Sequence, residues 1–542
     1  MSLNPARFAS LMAAALAACF TGPAVATEPP YPSLSWTLRE FQNYNRAFEA
    51  PREQLLNPLF LSRWSQQSLE NQLEFIGRSA DDPSWTLGYS PLLGELLEGL
   101  LADPDLMVSL PELLIGQATK TLGDPSHALS LSLNSEVTPL CAAHALPCTG
   151  DPFRYPSVDP FYESEAVVEP VVFYDQACAR ISGRVWRPRE RALRQRPAVI
   201  IENGSVQAPE TVYWWAAQAL VRSGYVVMTF DPRGQGRSDF QAPSGGQGSN
   251  ANPAVFWEGL VNAIDFFRSS PAQPYPHNVA CAGTYPTEVT DSNPFHDVID
   301  PDRLGLAGHS LGAIGVTVVQ GLGATGADPW PGLLDQLNPV DAVVAWDGAI
   351  PPGGGTTAGV SGSIALLDPF VEATSQPELP RFGARVPLMS QSSEYGLAPV
   401  PFKEPPDPEA RLGAFQGWRA AGVPAYEFTV SGSTHFEWSQ LPLFPATSWC
   451  PVIMDGQCRG GWGAPVMEYY TVAWFDRWLK QPDEAGFHSA DDRLLDDDRY
   501  ANRFSFYYQS ARDFTTRQGD QQECEDIEAG CEPERRRFLG LF

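Results

Sequence analysis

The chain has 542 residues, of which 43% are hydrophobic, and its formal net charge is −28. This length and composition can bury a large core, which excludes a disordered protein and favours two or three domain-sized units or one large domain with insertions. Nucleic acid and anionic membrane surfaces both require a cationic face, so the acidic charge, with lysine only at Lys120, Lys403 and Lys480, argues against both as partners.

Residues 1–26 have the features of an export signal. Arg7 precedes an apolar stretch, and an Ala-Val-Ala cleavage site ends at Ala26. The run LAAC offers a second interpretation, because it resembles the bacterial lipoprotein signal, in which Cys19 would carry a lipid anchor. No other apolar run is long enough for a transmembrane span. The sequence therefore predicts an exported protein that is periplasmic, secreted or an outer-membrane lipoprotein.

The cysteine count agrees with export. Without Cys19 the chain keeps eight cysteines, and an even number is typical of an oxidising compartment. Free buried thiols are the alternative. The spacing predicts three short disulfide-closed loops and one long-range bridge, namely Cys141–Cys148, Cys450–Cys458, Cys524–Cys531 and Cys178–Cys281.

Residues 27–165 carry helix-like segments with proline-rich breaks and no chemical motif, which predicts a mainly helical accessory region. Over residues 166–485, short β-branched runs alternate with helical stretches. The first two runs are close together like an antiparallel pair, and the later ones are far enough apart for parallel crossovers. We therefore predict an α/β domain with a mostly parallel sheet, helices on both faces, and insertions near 268–300 and 349–384. An acidic C-terminal extension follows over 486–542. Sheets of this kind place functional residues at the carboxyl ends of their strands.

The segment LGLAGHSLGAIG contains the pattern G-x-S-x-G from Gly308 to Gly312. A buried strand is predicted before it and a helix after it, which is the setting of a nucleophile elbow. The turn would strain the backbone of Ser310, and flanking side chains would collide, which explains both glycines. The N–H of Leu311, at the start of the helix, would then face a developing oxyanion. A glycine-rich turn without a catalytic role is the alternative.

A catalytic base is expected after the serine, in the chain order serine, acid, histidine. Of the two histidines there, His488 lies in a polar loop after a helix, whereas His435 follows a strand and a Gly-Ser turn. We therefore predict His435 as the base. Asp347 ends the strand after the nucleophile helix, and Glu394 follows one strand later. The residues alone leave both open as the acid.

A second oxyanion donor is expected from the loop in PAVIIENGSVQAP. We predict the N–H of Ser205, with Gly204 allowing the substrate to approach the backbone; an ordinary turn is the alternative. Aromatic residues on or near the site segments suggest an apolar pocket, with helix-to-sheet packing as the alternative. They are Trp214, Trp215, Trp257, Trp346, Phe436 and Trp438.

Several of these segments resemble the α/β-hydrolase superfamily over about residues 165–485. GHSLG corresponds to the elbow, YVVMTFDPRGQGRSD to the turn after the fourth strand, and GSTHFEWS to the histidine loop. Within the superfamily, ENGSVQA, VAWDGAI and SSEYG followed by SGSTH are similar to the platelet-activating-factor acetylhydrolase group. The resemblance implies an eight-stranded sheet and Asp347 as the acid beside Ser310 and His435. It also leaves Glu394 outside the triad.

The implied activity is hydrolysis of carboxylic esters, with short-to-medium acyl or lipid-like esters as substrates. A peptidase or a polyester hydrolase on the same fold is an alternative, and a non-catalytic binding relative is another. No cofactor or metal is expected, since the chain has neither a P-loop nor zinc-ligand spacing. The dinucleotide-like pattern GLGATG at 321–326 follows a predicted helix, so a phosphate would meet no helix N-terminus there.

Overall fold

The computed structural model of this chain describes residues 29–46, 161–190, 194–204, 210–235, 238–239, 242–246, 248, 253–285, 289–355, 378–396, 400–439 and 464–531. Several predicted features lie outside these residues: the export signal, most of the accessory region, Ser205, and the cysteine pairs Cys141–Cys148 and Cys450–Cys458.

The described residues form a large sheet and a separate small one. The strands, in chain order, are β1 (Ala166–Tyr174), β2 (Arg180–Pro188), β3 (Arg196–Glu202), β4 (Val226–Phe230), β5 (Ile299–His309), β6 (Val340–Trp346), β7 (Gly353–Gly355), β8 (Leu379–Phe382), β9 (Leu388–Ser393), β10 (Ala425–Val430), β11 (Ala511–Thr515) and β12 (Gln521–Cys524).

The large sheet has ten strands in the order β1-β2-β4-β3-β5-β6-β9-β10-β11-β12. The central strands β4, β3, β5, β6, β9 and β10 pair in parallel. The pairing of β1 with β2 is antiparallel, as predicted. Strands β7 and β8 form the small sheet within the predicted insertion at 349–384. The protein is thus α/β, with a mixed and mostly parallel sheet.

The predicted number of eight strands is too low. Strands β11 and β12 come from the segment predicted only as an acidic extension, and they add antiparallel strands beside β10. Their sequences, ARDFT and QQEC, lack the continuous apolar run of a strand buried on both faces. Strands at or next to a sheet edge need less apolar surface, so hydrophobic pattern alone could not identify β11 and the edge strand β12.

The described helices cover both faces of the sheet, as predicted. In the centre, Ala198 and Ile200 of β3 join the core on one face, and Val199 and Ile201 join the core on the other. Alternate residues of a strand point to opposite faces, so a strand that is apolar at every position must be covered twice. The helices are α1 (Leu34–Arg46), α2 (Phe161–Ser164), α3 (Trp214–Arg222), α4 (Ala254–Arg268), α5 (Pro276–Ala280), α6 (Leu311–Gly321), α7 (Gly413–Ala420), α8 (Ala464–Leu479), α9 (Ala490–Leu495) and α10 (Asp497–Tyr500).

Helix α1, from the predicted accessory region, packs against the loop after β9 and against the segment before β11. The carboxylate of Glu40 accepts hydrogen bonds from the N–H of Phe402 at 2.7 Å and from the hydroxyl of Tyr507 at 2.5 Å. Trp36 is buried beside Tyr507. The N-terminal region is therefore attached to the α/β domain through buried polar contacts.

Two of the predicted disulfides are present. Cys178 and Cys281 join the turn after β1 to the end of α5, with Cα atoms 5.4 Å apart and a sequence separation of 103. Cys524 and Cys531 close the short loop after β12. In the loop-entropy model, a bridge over about 100 residues stabilises a fold by roughly 4–5 kcal/mol. Among the helices described, none combines the length and apolar character needed to cross a bilayer.

Candidate active site

The predicted nucleophile lies on a sharp turn between β5 and α6. Ser310 follows the last residue of β5, and its backbone has φ 58° and ψ −122°. A positive φ is unfavourable for a residue with a side chain, and strain of this kind concentrates at functional sites. The strained backbone that the sequence predicts is therefore present at the carboxyl end of a central strand.

Close backbone approaches require the two glycines that flank this serine. A Cβ at Gly308 would collide with the carbonyl of Gly312. A Cβ at Gly312 would in turn collide with the carbonyl of Asn203, just after β3. Both neighbours are backbone atoms, which cannot swing aside as a flexible side chain can. The steric reason predicted for both glycines is confirmed.

Asp347 and His435 are in direct contact. Asp347 follows β6, and His435 begins the 3-10 turn His435–Trp438 after β10. His435 Nδ1 and Asp347 Oδ2 are 2.5 Å apart, and the two side chains are only 14% and 7% exposed. Asp347 also accepts hydrogen bonds from the N–H of Ser393 at 2.7 Å and from its hydroxyl at 2.6 Å. These donors fix the orientation of the carboxylate toward the imidazole.

The surroundings of Asp347 favour its ionised form. Burial by itself would raise the pKa of this carboxyl, but the hydrogen bond and charge of His435 and the charge of Arg411 outweigh it. With the hydrogen bond from Ser393, they hold the pKa well below its ordinary value of 3.8. An ionised carboxylate accepts the Nδ1 proton, which leaves Nε2 as the nitrogen with which a base acts.

Ser310 lies beside this pair. Its N–H donates to the carbonyl of Trp346, the residue before Asp347, at 3.0 Å. The ring of His309, the residue before the serine, is 4.6 Å from the ring of His435. Strands β5 and β6 are parallel neighbours, so their carboxyl ends meet at one edge of the sheet. All three predicted triad residues are thus at this edge.

The alternative candidates occupy other positions. Glu394 accepts hydrogen bonds from the N–H of Gly432 and the hydroxyl of Ser505, both at 2.5 Å, and from the side-chain amide of Asn43 on α1. Burial raises the pKa of Glu394 to about 7. These contacts join α1 and the C-terminal segment to the loop after β9, which is a structural role. His488 is exposed in the turn before α9.

The structure describes one of the two predicted oxyanion donors, Leu311, and the residue before the other. Leu311 begins α6, where the first N–H groups have no acceptor within the helix. Ser205 lies outside the described residues, but Gly204 before it is described. The N–H of Gly204 donates to the hydroxyl of Tyr213 at 3.0 Å, and a Cβ on this glycine would be 3.1 Å from the Cβ of Ser310. This loop therefore reaches the nucleophile, and glycine permits the approach.

The tryptophans predicted near the site belong to the core. The indole N–H of Trp215 donates to the carbonyl of Trp438 at 2.9 Å, which ties α3 to the histidine turn. For these residues the alternative interpretation, helix-to-sheet packing, is confirmed. The side chain of Phe436 is outside the described part of the structure. The buried tryptophans are Trp214, Trp215, Trp257, Trp346 and Trp438.

A second buried carboxyl, Glu427 on β10, lies close enough to Asp347 for their charges to interact. Its side chain accepts a hydrogen bond from the hydroxyl of Ser392 at 2.7 Å. Burial raises the pKa of Glu427 to about 8 from an ordinary value of 4.5, and the negative charge of Asp347 contributes to the increase. Near neutral pH Glu427 therefore keeps its proton, and Asp347 carries the negative charge near the imidazole.

We expect Glu427 to make the fold less stable as the pH rises. Between pH 4.5 and about 8 the unfolded chain releases a proton that the folded chain keeps. The free energy of unfolding should therefore fall through this window, by about 1.4 kcal/mol per pH unit for one such group. Glu427→Gln should reduce that slope. Urea unfolding of both proteins at pH 5, 6 and 7 measures it, and equal slopes would contradict the assignment. Glu394 titrates in both proteins, so its contribution cancels.

Three residues of this site have no predicted role in the sequence: Ser393 beside the acid, Tyr213 beside Gly204, and His309 beside the nucleophile. His309 stands within the elbow motif itself, which is the only local signal that marks it. In the sequence, Ser393 is an ordinary strand residue and Tyr213 an ordinary helix residue; only the fold places the first beside Asp347 and the second beside Gly204.

Comparison with models of known protein families gives no match, and comparison with curated protein sequences gives none either. A function for this site must therefore be inferred from its own residues.

Proposed function

We propose that the protein is a serine hydrolase with the α/β-hydrolase fold, which cleaves carboxylic esters through Ser310, His435 and Asp347. The observation that carries the proposal is the 2.5 Å contact between His435 and Asp347 at the sheet edge where Ser310 sits on a strained turn. A buried ionised carboxylate that orients an imidazole beside a serine elbow is the arrangement that nucleophilic catalysis requires. The parallel centre of the sheet supports the fold assignment.

The proposed reaction has two steps. His435 Nε2 takes the proton of Ser310 as the hydroxyl oxygen attacks the ester carbonyl, and the tetrahedral oxyanion is stabilised by the N–H groups of Leu311 and Ser205. The intermediate expels the alcohol, which receives the proton from His435. Water then attacks the acyl carbonyl as His435 takes its proton, and the second tetrahedral intermediate breaks the bond to Ser310, releases the carboxylic acid and returns the proton from His435 to the serine oxygen. These residues hold and move each proton, and Asp347 stays ionised throughout.

The substrate class is proposed as short-to-medium acyl or lipid-like esters. The support for this class is the resemblance of ENGSVQA, VAWDGAI and SSEYG to the platelet-activating-factor acetylhydrolase group; the tryptophans near the elbow and histidine turn pack within the core. We also propose that the protein is exported, with the disulfides Cys178–Cys281 and Cys524–Cys531 as support. A lipid anchor at Cys19 is part of this proposal as an alternative form of the mature N-terminus.

A fluorophosphonate probe tests the serine hydrolase directly. The probe reacts with an activated serine, so the wild-type protein should be labelled and Ser310→Ala should not. Mass spectrometry of the labelled peptide identifies the modified residue. A folded wild-type protein that is not labelled would favour the non-catalytic binding relative instead. Parallel assays with p-nitrophenyl esters and peptide amides separate an esterase from a peptidase, and we expect the esters to be cleaved faster.

A further inference from the structure

The side chains of Tyr213 and His309 join two parts of the candidate site that are far apart in sequence. The hydroxyl of Tyr213 lies 2.7 Å from His309 Nδ1 and accepts the N–H of Gly204 at 3.0 Å. On the other side of the ring, His309 Nε2 lies 2.8 Å from the carbonyl oxygen of His435. An unbroken chain of hydrogen bonds thus connects the glycine before the predicted oxyanion donor to the backbone of the base.

The direction of each hydrogen bond follows from the donors and acceptors. A carbonyl oxygen only accepts, so His309 Nε2 must carry a hydrogen and donate to His435. Tyr213 accepts from Gly204 and donates its own hydrogen to the unprotonated Nδ1 of a neutral imidazole. Burial lowers the pKa of His309 to about 3, with a further contribution from the charge of His435, which keeps the imidazole neutral. All four polar groups are satisfied in this one arrangement.

The location of these residues suggests what the chain of hydrogen bonds does. Tyr213 is fully buried, and His309 is 2% exposed and directly precedes Ser310. The N–H of His435 donates to the carbonyl of Gly396 at 2.9 Å, so the backbone of the base is held from both sides. One network of hydrogen bonds therefore joins Gly204, the residue before Ser310 and the backbone of His435.

We propose that Tyr213 and His309 are positioning residues, which fix Gly204 and His435 relative to Ser310. The inference rests on the proposed function, because positioning has a meaning only if these three groups act on one substrate. Misplacement of a catalytic group by about 1 Å can cost on the order of 100-fold in rate. Loss of this network should therefore lower kcat far more than it changes KM.

The experiment is a double-mutant cycle in the full-length protein. Tyr213→Phe removes the hydroxyl, and His309→Gln keeps an amide donor for the carbonyl of His435 but has no acceptor at the position of Nδ1, which faces Tyr213. Each should lower kcat for a p-nitrophenyl ester by on the order of 100-fold, with KM nearly unchanged. Both substitutions break the same hydrogen bond. The kcat of the double variant should therefore be no lower than the kcat of the less active single variant. Tyr225→Phe is the matched control. This buried tyrosine directly precedes β4, at the amino end of that strand, and donates its hydroxyl hydrogen to Asp476 at 2.7 Å.

The outcomes distinguish failure of the positioning role from failure of the proposed serine hydrolase. A kcat for Tyr213→Phe within two-fold of wild type, losses that multiply in the double variant, or an equal loss in Tyr225→Phe would overturn the positioning role. Failure of the wild-type protein to react with a fluorophosphonate would overturn the proposed function, and the catalytic role of the network with it.

Nitrogen-15 NMR of the histidine rings provides a test that is independent of activity. It should show the Nε2–H tautomer for His309 at neutral pH, and the Nδ1–H tautomer would overturn the proposed donor and acceptor roles of Tyr213 and His309.

Discussion

Ser310→Ala should lower the turnover of an ester substrate by about 10⁶-fold while leaving the fold intact. The side-chain oxygen forms the covalent bond to the acyl group, and no second nucleophile replaces it in the proposed reaction. The hydroxyl makes no capping hydrogen bond to α6, so its removal should cost little stability. Alanine also has less steric conflict than a larger residue at the positive φ of 58°.

The measurement is kcat for a p-nitrophenyl ester, together with thermal unfolding of each protein. Ser269→Ala is a suitable control, because this buried serine directly follows α4 and donates its hydroxyl hydrogen to the carbonyl of Phe266 at 2.6 Å. The control should keep its turnover even if it loses some stability. Turnover by Ser310→Ala within ten-fold of wild type would show that another residue is the nucleophile.

The parts of the site that could be predicted from the sequence are those with local causes. Gly308 and Gly312 are needed because the elbow brings backbone atoms into contact, and this steric demand leaves a pattern of five residues. Asp347 and His435 are candidates because each follows a strand, and parallel strands bring their carboxyl ends to one edge. Apolar runs such as PAVII likewise predict buried central strands.

The parts that could not be predicted depend on contacts between distant segments. Apart from the family resemblance, the residues leave Glu394 and Asp347 equally open as the acid, and only the fold shows that Glu394 is bound by Asn43, Gly432 and Ser505. Strands β11 and β12 have no apolar pattern, since their pairing depends on an edge that β10 provides. Burial of Tyr213 and His309 against each other has the same origin. Local pattern predicts elements, and long-range contact determines their partners.

Asp347→Asn should lower kcat by about 10⁴-fold, whereas Glu394→Gln should lower it by less than about ten-fold. The amide nitrogen of asparagine is a donor, and the groups that face Asp347 are themselves donors: the N–H and hydroxyl of Ser393 and the Nδ1–H of His435. Asparagine therefore either loses these hydrogen bonds or stabilises the other tautomer of His435, in which Nε2 carries the hydrogen and cannot accept the proton of Ser310.

Glu394→Gln provides the comparison because it also replaces a buried carboxyl with an amide of the same shape. The carboxylate of Glu394 accepts hydrogen bonds from the N–H of Gly432 and the hydroxyl of Ser505. Glutamine replaces one of these acceptor oxygens with an amide group that donates, so we expect the variant to unfold at a lower temperature. Thermal unfolding then measures the structural cost, and kcat at a temperature where both variants are folded measures the catalytic cost. Because a charged acid is needed only beside the base, the two costs should separate: kcat falls mainly in Asp347→Asn, and stability falls mainly in Glu394→Gln. The reverse ranking in kcat would assign the acid to Glu394.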